Sequence, residues 1–353
     1  MNVAPCKPKT LKDSQHKVWL LIDSLTFGGI ETHVLELAKG LNEFGVDVSV
    51  VFTSYYGKQA LLAEKIGEMG VQYFYLDIAF PSDHSFNSLK QAIKVHEPSL
   101  IHAHGYKASI YSKLAKLLTT KSSFKQLTTF HAGETPKGKV WLYDFVDRYS
   151  SWLSNDRLSV SQLIQNKLPK HSHRLNNFID TQHVQRSKGT KIAFVGRVSH
   201  EKAPDRFVSL ARLNTECEFH CYGSGPMLEE LKKDAPENIV FYGYQNDMVP
   251  VWGEIELLIL PSRYEGLPMA ALESMARGIP LLCTRVGDLD TLVEHQINGF
   301  IADNENELNH YLAEWLSMNK TEKLKLQQAA IQTIEQNYST QSVLPKLLEI
   351  YQI

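Results

Sequence analysis

Short apolar runs alternate with amphipathic segments of helical period along most of the chain, and few folds accommodate that alternation. In the first half the runs are Val18–Ile22, Val46–Phe52, Val71–Leu76, Leu100–His102, Leu127–Phe130 and Leu158–Val160. Between them Val34, Leu37, Ala38 and Leu41 mark one helix face, Leu61, Leu62, Lys65 and Ile66 another, and Ile110, Leu114 and Leu117 a third. Strand–helix–strand repeats at this spacing predict a parallel sheet with right-handed crossovers.

The pattern stops at 181–190, TQHVQRSKGT, which is polar and lacks apolar periodicity, and then restarts. The second series is Ile192–Val195, Glu218–Tyr222, Ile239–Tyr242, Leu257–Leu260 and Leu281–Cys283. Helical stretches are expected at about 203–213, 226–233, 246–253, 268–277 and 288–294, with further helices to the C-terminus. The predicted class is α/β: two Rossmann-like domains at 1–180 and 191–336, a linker at 181–190, and a terminal helix at 337–353. A length of 353 residues suits two domains. Ligands of such sheets bind outside the carboxyl ends of the strands, so an interdomain cleft is the expected site.

Net charge is −2, which gives no overall basic footprint and argues against a nucleic-acid partner. The charge is uneven: residues 1–187 hold 22 Lys+Arg against 16 Asp+Glu, and the remainder 15 against 23. The four cysteines form no CxxC or Cys/His metal spacing. Cys217 and Cys221 share a strand periodicity and Cys283 lies in an apolar run, as expected of buried free thiols in a reducing, cytoplasmic setting. The polar start MNVAPCKPKTLKDSQHK lacks a signal-peptide core, and no run of about 18 apolar residues predicts a transmembrane helix.

Polar and glycine-rich residues gather where the second-series strands end. Ile192–Val195 leads into Gly196-Arg197 and then Glu201-Lys202. Two cations at one sheet edge suit a diphosphate leaving group. The next strand ends in Gly223-Ser224-Gly225-Pro226, where glycines permit close backbone approach to phosphate or ribose. Leu228 stands where a dinucleotide fingerprint has its third glycine. Another strand ends in Gly243-Tyr244-Gln245. The fourth runs into Glu265-Gly266-Leu267-Pro268-Met269, a helix start with Pro268 in the first turn and N–H groups of Gly266, Leu267 and Met269 open to an anion. Glu265 precedes that helix and Glu273 lies on it, and carboxylates of this kind bind vicinal sugar hydroxyls.

Together these segments resemble the family 4 retaining glycosyltransferases of GT-B architecture. The resemblance rests on Gly196, Arg197, Glu201 and Lys202, on Gly223 to Pro226, and on Glu265 and Glu273 within PSRYEGLPMAALESMARGIPLL. Val286-Gly287 through Glu294 and Asn298-Gly299-Phe300 extend it, so residues 190–302 match strongly and the first half more weakly. It implies that Arg197 and Lys202 bind the donor diphosphate and that Glu273 holds the ribose. It also implies that Glu265 touches the transferred sugar and that the loop of Gly243, Tyr244 and Gln245 frames the base. Ala203-Pro204 departs from the family's usual Gly after the Lys.

In the first half, Phe27-Gly28-Gly29-Ile30 follows the first strand and opens a helix. The resemblance places Gly28 and Gly29 beside acceptor and donor phosphate; a plain tight turn is the other reading. His102 and His104 sit two apart, a metal-like spacing with no third ligand evident. His131, in Thr128-Thr129-Phe130-His131-Ala132-Gly133, is the preferred catalytic histidine because the family places one against the donor sugar. Asn176 to Asp180 resembles the segment before the interdomain linker.

The implied reaction moves a hexose or N-acetylhexosamine from a nucleotide-sugar to a saccharide or lipid-linked saccharide. A UDP-sugar is favoured over a GDP-sugar, and no metal or other cofactor is required. Residues 88–125 carry lysines 90, 94, 107, 113, 116, 121 and 125 against one acid, Glu97, with Ile110, Tyr111, Leu114, Leu117 and Leu118 interleaved. That pattern fits either a peripheral contact with anionic membrane or a crossover helix with its leucines in the core. A nicotinamide oxidoreductase needs a GxGxxG turn that Thr26-Phe27-Gly28-Gly29 does not supply. A nucleotide-sugar epimerase or hydrolase, or a non-catalytic sugar-nucleotide-binding protein, remains the alternative.

Overall fold

A computed structural model describes residues 17–119, 123–131, 139–168 and 172–353. Cys6, Lys121 and the Ala132-Gly133 part of the histidine motif lie outside them. The chain divides into two compact units, Met1–Asn176 with Val343–Ile353, and Asn177–Ser342.

The first unit begins β1 (Lys17–Ile22), α1 (Gly29–Glu43), β2 (Asp47–Phe52), α2 (Leu61–Glu68), β3 (Gln72–Tyr75), α3 (Leu76–Ala79) and α4 (Ser85–His96). It continues β4 (Leu100–His104), α5 (Tyr106–Leu118), β5 (Lys125–Phe130), α6 (Lys139–Tyr149), a 3-10 turn at Ser150–Leu153, β6 (Asp156–Ser159), α7 (Gln162–Lys167) and β7 (His173–Arg174). The strands form a parallel sheet in the order β3-β2-β1-β4-β5-β6-β7. That order reverses direction between β1 and β4, where doubly wound sheets open a crevice at their carboxyl edge. Val18 to Ile22 are buried to the last residue because β1 lies at the centre of the sheet. The α1 face turned inward carries Val34, Leu37, Ala38 and Leu41, as its spacing predicts.

Of the two readings of the α5 stripe, the one that puts its leucines in the core fails: Leu114, Leu117 and Leu118 are exposed, while Ala108, Ser109, Ser112, Lys113 and Ala115 are buried. Small residues let α5 sit close to the sheet, and their hydroxyls find buried partners. Ser109 Oγ lies 2.9 Å from Thr128 Oγ1, and Gln126 donates to Ser112 Oγ at 2.9 Å. Periodicity locates a stripe on a helix; it does not say which medium the stripe faces.

The second unit runs β8 (Lys191–Val195), a 3-10 turn at His200–Lys202, α8 (Pro204–Leu213), β9 (Phe219–Tyr222), α9 (Leu228–Lys233), β10 (Ile239–Gly243), α10 (Val249–Glu254) and β11 (Ile255–Leu260). It closes with α11 (Met269–Ala276), β12 (Leu281–Thr284), α12 (Leu289–Leu292), β13 (Gly299–Ala302), α13 (Glu305–Ser317) and α14 (Lys320–Asn337). This parallel sheet has the order β10-β9-β8-β11-β12-β13, the same winding about a central β8–β11 switch point. Core lies on both faces. One cluster gathers Trp252, Leu272, Met275 and Ile334, and the other Phe194, Phe207, Phe219 and Trp315. β7 and β13 went unpredicted, being too short and, at Gly299, too weak in apolar signal to register.

Residues 181–190 are not a free linker; they belong to the second unit. Ser187 donates its N–H to the Arg277 carbonyl at 2.9 Å and its hydroxyl to the Ile255 carbonyl at 2.5 Å, and Val184 packs on the core. The segment looks polar because its contacts run through backbone and hydroxyl groups, which leave no apolar period.

The last helix, α15 (Thr340–Tyr351), ends in the first unit. Tyr351 Oη lies 2.6 Å from His102 Nδ1, and Lys125 Nζ donates to the Ile350 carbonyl at 2.6 Å.

Candidate functional site

In the second unit the predicted residues lie along the carboxyl edge of the sheet. Gly196 and Arg197 follow β8, and the 3-10 turn after them ends in Lys202. Lys202 Nζ donates to both oxygens of Glu265, at 2.6 and 2.7 Å, and Ser262 Oγ donates to Glu265 Oε1 at 2.7 Å. Glu265 is only 5% exposed at its side chain and Lys202 26%, so the pair faces the edge with the cation outward. Arg197 is largely exposed and reaches Glu201 only at 4.0 Å, which leaves its guanidinium open to a ligand.

Contacts made by Arg263 hold the turn that carries Lys202 in place. Arg263 forms a bidentate pair with Asp205 and donates to the His200 carbonyl at 3.0 Å, while its own N–H donates to the Glu201 carbonyl at 2.8 Å. This clamps the loop after β11 to the 3-10 turn. Burial pushes the Glu201 carboxyl up, but the Ser199 hydroxyl and the nearby Arg197 and Lys202 charges outweigh it and hold it below the usual carboxylate range. Neither Arg263 nor Asp205 stood out in the sequence.

α11 starts at Met269, so Pro268 is its N-cap and not a first-turn residue. An N-cap residue needs extended backbone, which Pro268 has at φ −72° and ψ 135°. Early N–H groups at such a start lack intrahelical acceptors. Asn177 Nδ2 donates to the Leu267 carbonyl at 2.7 Å, and the Asp288 N–H donates to the Gly266 carbonyl at 3.0 Å, fixing the turn from two sides. Glu273 is half-buried on α11, and its carbonyl accepts from Arg277 at 2.7 Å.

The glycines divide by cause. A Cβ on Gly223 would lie 1.8 Å from the Gly196 carbonyl oxygen, and one on Gly225 2.3 Å from that of Val198. These two glycines are required by the close approach of neighbouring strand ends, whatever ligand they also meet. Gly243 needs its positive φ of +71°. Tyr244 follows β10 at the edge of the sheet, two strands from β8, and is exposed. Gly28 and Gly29 differ. Neither has a left-handed φ, a Cβ on Gly29 meets nothing within 4 Å, and one on Gly28 only makes ordinary contact with Glu31 at 3.6 Å. The fold tolerates side chains there, so the tight-turn reading does not account for these two glycines.

At the carboxyl edge of the first unit, Gly28 caps α1 and its N–H donates to Glu31 Oε2 at 3.0 Å. His33 of α1, His104 of β4 and His131 after β5 converge there; each offers a ring nitrogen, all within 4.8 Å of one another. His104 Nδ1 lies 3.1 Å from His131 Nε2. His102 lies against His104, ring centroids 4.2 Å apart, but its own ring nitrogens face Tyr351 and Thr129, each 2.6 Å away. Burial pushes His102 down to about 3 and holds His104 and His131 well below the usual imidazole range. His102, His104 and His131 are therefore held as neutral imidazoles, the form that donates and accepts one hydrogen bond per ring and the form that ligates transition metals. His33 is the third member that the sequence spacing did not reveal, because it comes from a different element.

A second group went unread. Asp23, directly after β1, accepts from Tyr56 Oη at 3.0 Å and Lys107 Nζ at 3.1 Å, and Thr53 donates to it as well. Lys107 also donates to Ser54 Oγ at 3.0 Å. Burial pulls Lys107 down, but the Asp23 carboxylate outweighs it and raises it above the ordinary lysine value. A shallow pocket lined by Ser24, Ser54, Tyr56, Lys58 and Tyr75 opens beside this group. The position of Asp23 at a strand's carboxyl end was the available signal.

Two family models match the chain: Glycosyltransferase Family 4 over residues 27–183, and Glycosyl transferases group 1 over residues 176–333. The O-antigen biosynthesis glycosyltransferase WbnH of Escherichia coli is 30% identical over 239 residues, 64% of this chain and 69% of the relative. An Escherichia coli UDP-Gal:alpha-D-GlcNAc-diphosphoundecaprenol alpha-1,3-galactosyltransferase is 22% identical over 255 residues, 62% of this chain and 66% of the relative. Among solved structures, Anabaena HepE in complex with UDP and glucose superposes with a TM-score of 0.81 at 15% identity, covering 95% of this chain and 99% of that one. TarM of S. aureus gives 0.80 at 11% identity, covering 96% and 100%. With both family models aligned on the two parallel-sheet units, the chain belongs to the family 4 glycosyltransferases and is an enzyme of the GT-B fold.

Proposed function

We propose that this glycosyltransferase moves a hexose or N-acetylhexosamine, with retention, from a UDP-sugar to a hydroxyl of a saccharide or lipid-linked saccharide during polysaccharide or glycoconjugate assembly. The observation that carries the reading is the Lys202–Glu265 pair, with Arg197 open beside it, at the β8–β11 switch point. Lys202 and Arg197 supply fixed charge for a diphosphate. A carboxylate has about four lone-pair sites, of which Lys202 and Ser262 occupy three in Glu265. One is left for a sugar hydroxyl. The relatives named above include an O-antigen transferase and a galactosyltransferase whose acceptor is diphosphoundecaprenol-linked, and HepE was solved with UDP and glucose. They support the substrate class.

In the proposed reaction the acceptor oxygen bonds to the anomeric carbon on the face from which the diphosphate departs. The carbon–oxygen bond to phosphate breaks, its electron pair stays with UDP, and the acceptor proton passes to the leaving phosphate oxygen. The chain then needs no paired carboxylates. It positions the substrates and stabilises growing negative charge through Arg197, Lys202 and the start of α11. Glu273 holds the ribose, Gly243 and Tyr244 border the base, and His131, backed by His104, meets the donor sugar. Gly28 and Gly29 let acceptor and phosphate approach the backbone. Because the fold leaves room for side chains at those two positions, their bareness fits close contact with substrate.

The test is a panel of UDP- and GDP-sugars with lipid-linked and free saccharide acceptors, the product's anomeric configuration being read by proton NMR. An α-linked product from an α-linked donor supports the proposal. Inverted product overturns retention. Donor turnover without any acceptor product favours the epimerase or hydrolase alternative.

A further inference from the structure

Three imidazoles meet at the carboxyl edge of the first sheet, each held by a different element. His33 lies in the second turn of α1, His104 is the last residue of β4, and His131 follows β5 directly. β1 and β5 both pair with β4, and α1 is the helix that follows β1, so one stretch of sheet fixes all three backbones. His33 is 3% exposed and His104 0%. The ring centroids form a nearly equilateral triangle, with His33–His131 at 4.8 Å and both His33–His104 and His104–His131 at 5.4 Å. Each ring offers one nitrogen to the group, and these nitrogens lie within 4.8 Å of one another. His102 stacks on His104 but stands outside the group, because Tyr351 and Thr129 engage both its ring nitrogens.

A tetrahedral Zn²⁺ holds imidazole nitrogens at about 2.0–2.1 Å, which sets ligand nitrogens about 3.3 Å apart and ring centres about 5 Å apart. His104 Nδ1 and His131 Nε2 are 3.1 Å apart, and the three ring spacings, 4.8 to 5.4 Å, bracket the second value. Rotation about χ2, a soft torsion in histidine, closes the wider nitrogen spacings. A group kept only for packing would be satisfied at both nitrogens of each ring, as His102 is. This one is not: among the described residues His104 Nε2 is buried with no hydrogen-bond partner. The donor set selects the ion. Three imidazoles with no carboxylate among them suit Zn²⁺ and its transition-metal neighbours, whereas Mg²⁺ and Ca²⁺ take oxygen ligands. Three protein ligands also leave one tetrahedral position open.

We infer that His33, His104 and His131 form a binding site for a divalent transition metal, Zn²⁺ above all, with one coordination position left open. The site belongs to the first unit alone, and metal binding there does not depend on the transferase reading. Its consequence does rest on that reading: an ion on His131 withdraws the imidazole from the donor sugar, so Zn²⁺ inhibits transfer and the active enzyme works metal-free.

The experiment strips the full chain with a chelator, loads it with Zn²⁺ alone and reads metal per chain by atomic emission after desalting. Competition with a chromophoric chelator gives the affinity, and Co²⁺ serves as the spectroscopic probe. Wild type is compared with His33→Gln, and urea midpoints show that both are folded. The inference expects one retained ion per chain and the visible bands of four-coordinate Co²⁺ without thiolate charge transfer. Loss of an outer partner of a metal ligand already costs about 10–100-fold, so His33→Gln should bind at least about 100-fold more weakly. Wild type that retains no ion overturns the site. So does His33→Gln that binds equally tightly, or a thiolate band, since either places the ion elsewhere among the 14 histidines and four cysteines. If His33→Gln does not fold, His131→Gln, on a partly exposed side chain, decides between the same outcomes. Transfer rates are read separately. Zn²⁺ should inhibit wild type at the concentrations that fill the site, and His33→Gln only at about 100-fold higher ones. Binding without inhibition overturns the inhibitory consequence and leaves the site standing. The binding measurements do not use transfer, so a failed site and a failed transferase reading are told apart.

Discussion

Lys202→Ala should weaken UDP binding and Glu265→Gln should not, and the geometry sets the sizes. In the structure Lys202 is shared between the solvent edge and Glu265 at 2.6 and 2.7 Å. Removing it takes one charge-assisted hydrogen bond from the diphosphate, about 2 kcal/mol. It also leaves the Glu265 carboxylate, 5% exposed, unneutralised beside an incoming anion. At an effective dielectric of about 20 and a separation of about 5 Å that repulsion is about 3 kcal/mol, reduced by solvent at this partly open edge to about 1. UDP should bind Lys202→Ala about 10²-fold more weakly. Glu265→Gln removes the competing carboxylate, so UDP should bind as well as to wild type or several-fold tighter. Turnover with the UDP-sugar should still fall about 10²-fold, because the sugar hydroxyl loses its anionic acceptor. Isothermal titration with UDP and initial rates with donor and acceptor read the two effects separately, and urea midpoints confirm folding. If Glu265→Gln weakens UDP as much as Lys202→Ala does, Glu265 serves the diphosphate site as a scaffold and the division of roles is wrong. If Lys202→Ala binds UDP within about threefold of wild type, Lys202 does not hold the diphosphate.

Gly29→Ala should leave the urea midpoint near wild type, since its Cβ meets nothing, yet lower turnover; Gly225→Ala, whose Cβ would lie 2.3 Å from the Val198 oxygen, should cost about 1–3 kcal/mol of stability. Asp147→Asn strands the buried Lys113 charge and should destabilise by about 3–5 kcal/mol, whereas adding Lys113→Met to it should restore much of the loss in a urea double-mutant cycle. The buried His102 and His104 are held below the unfolded imidazole value, so the unfolded chain binds more protons as pH falls. Stability is complete above about pH 6.5 and declines on acidification at about 1 kcal/mol per pH unit for each imidazole, down through the lowered His102 value. Urea midpoints between pH 7.5 and 5.5 that do not change would refute the neutral state of His102 and His104.

The sequence alone determined the two parallel sheets, most strand positions and the edge residues Arg197, Lys202 and Glu265. Strand and helix periods are local, and in a doubly wound sheet the loop after each strand must lie at the ligand edge. It could not decide what each face meets. α5 carries a regular apolar stripe, but whether that stripe turns inward depends on α6, which supplies Asp147 as the buried partner for Lys113. His33, His104 and His131 lie far apart in the chain and meet only because α1, β4 and β5 end at one edge. Gly223 and Gly29 look alike as letters; only the Gly196 carbonyl oxygen, 1.8 Å from the Cβ that Gly223 lacks, separates a glycine the backbone requires from one that it leaves bare. Contacts between elements distant in sequence have no local period, so tertiary packing decides them.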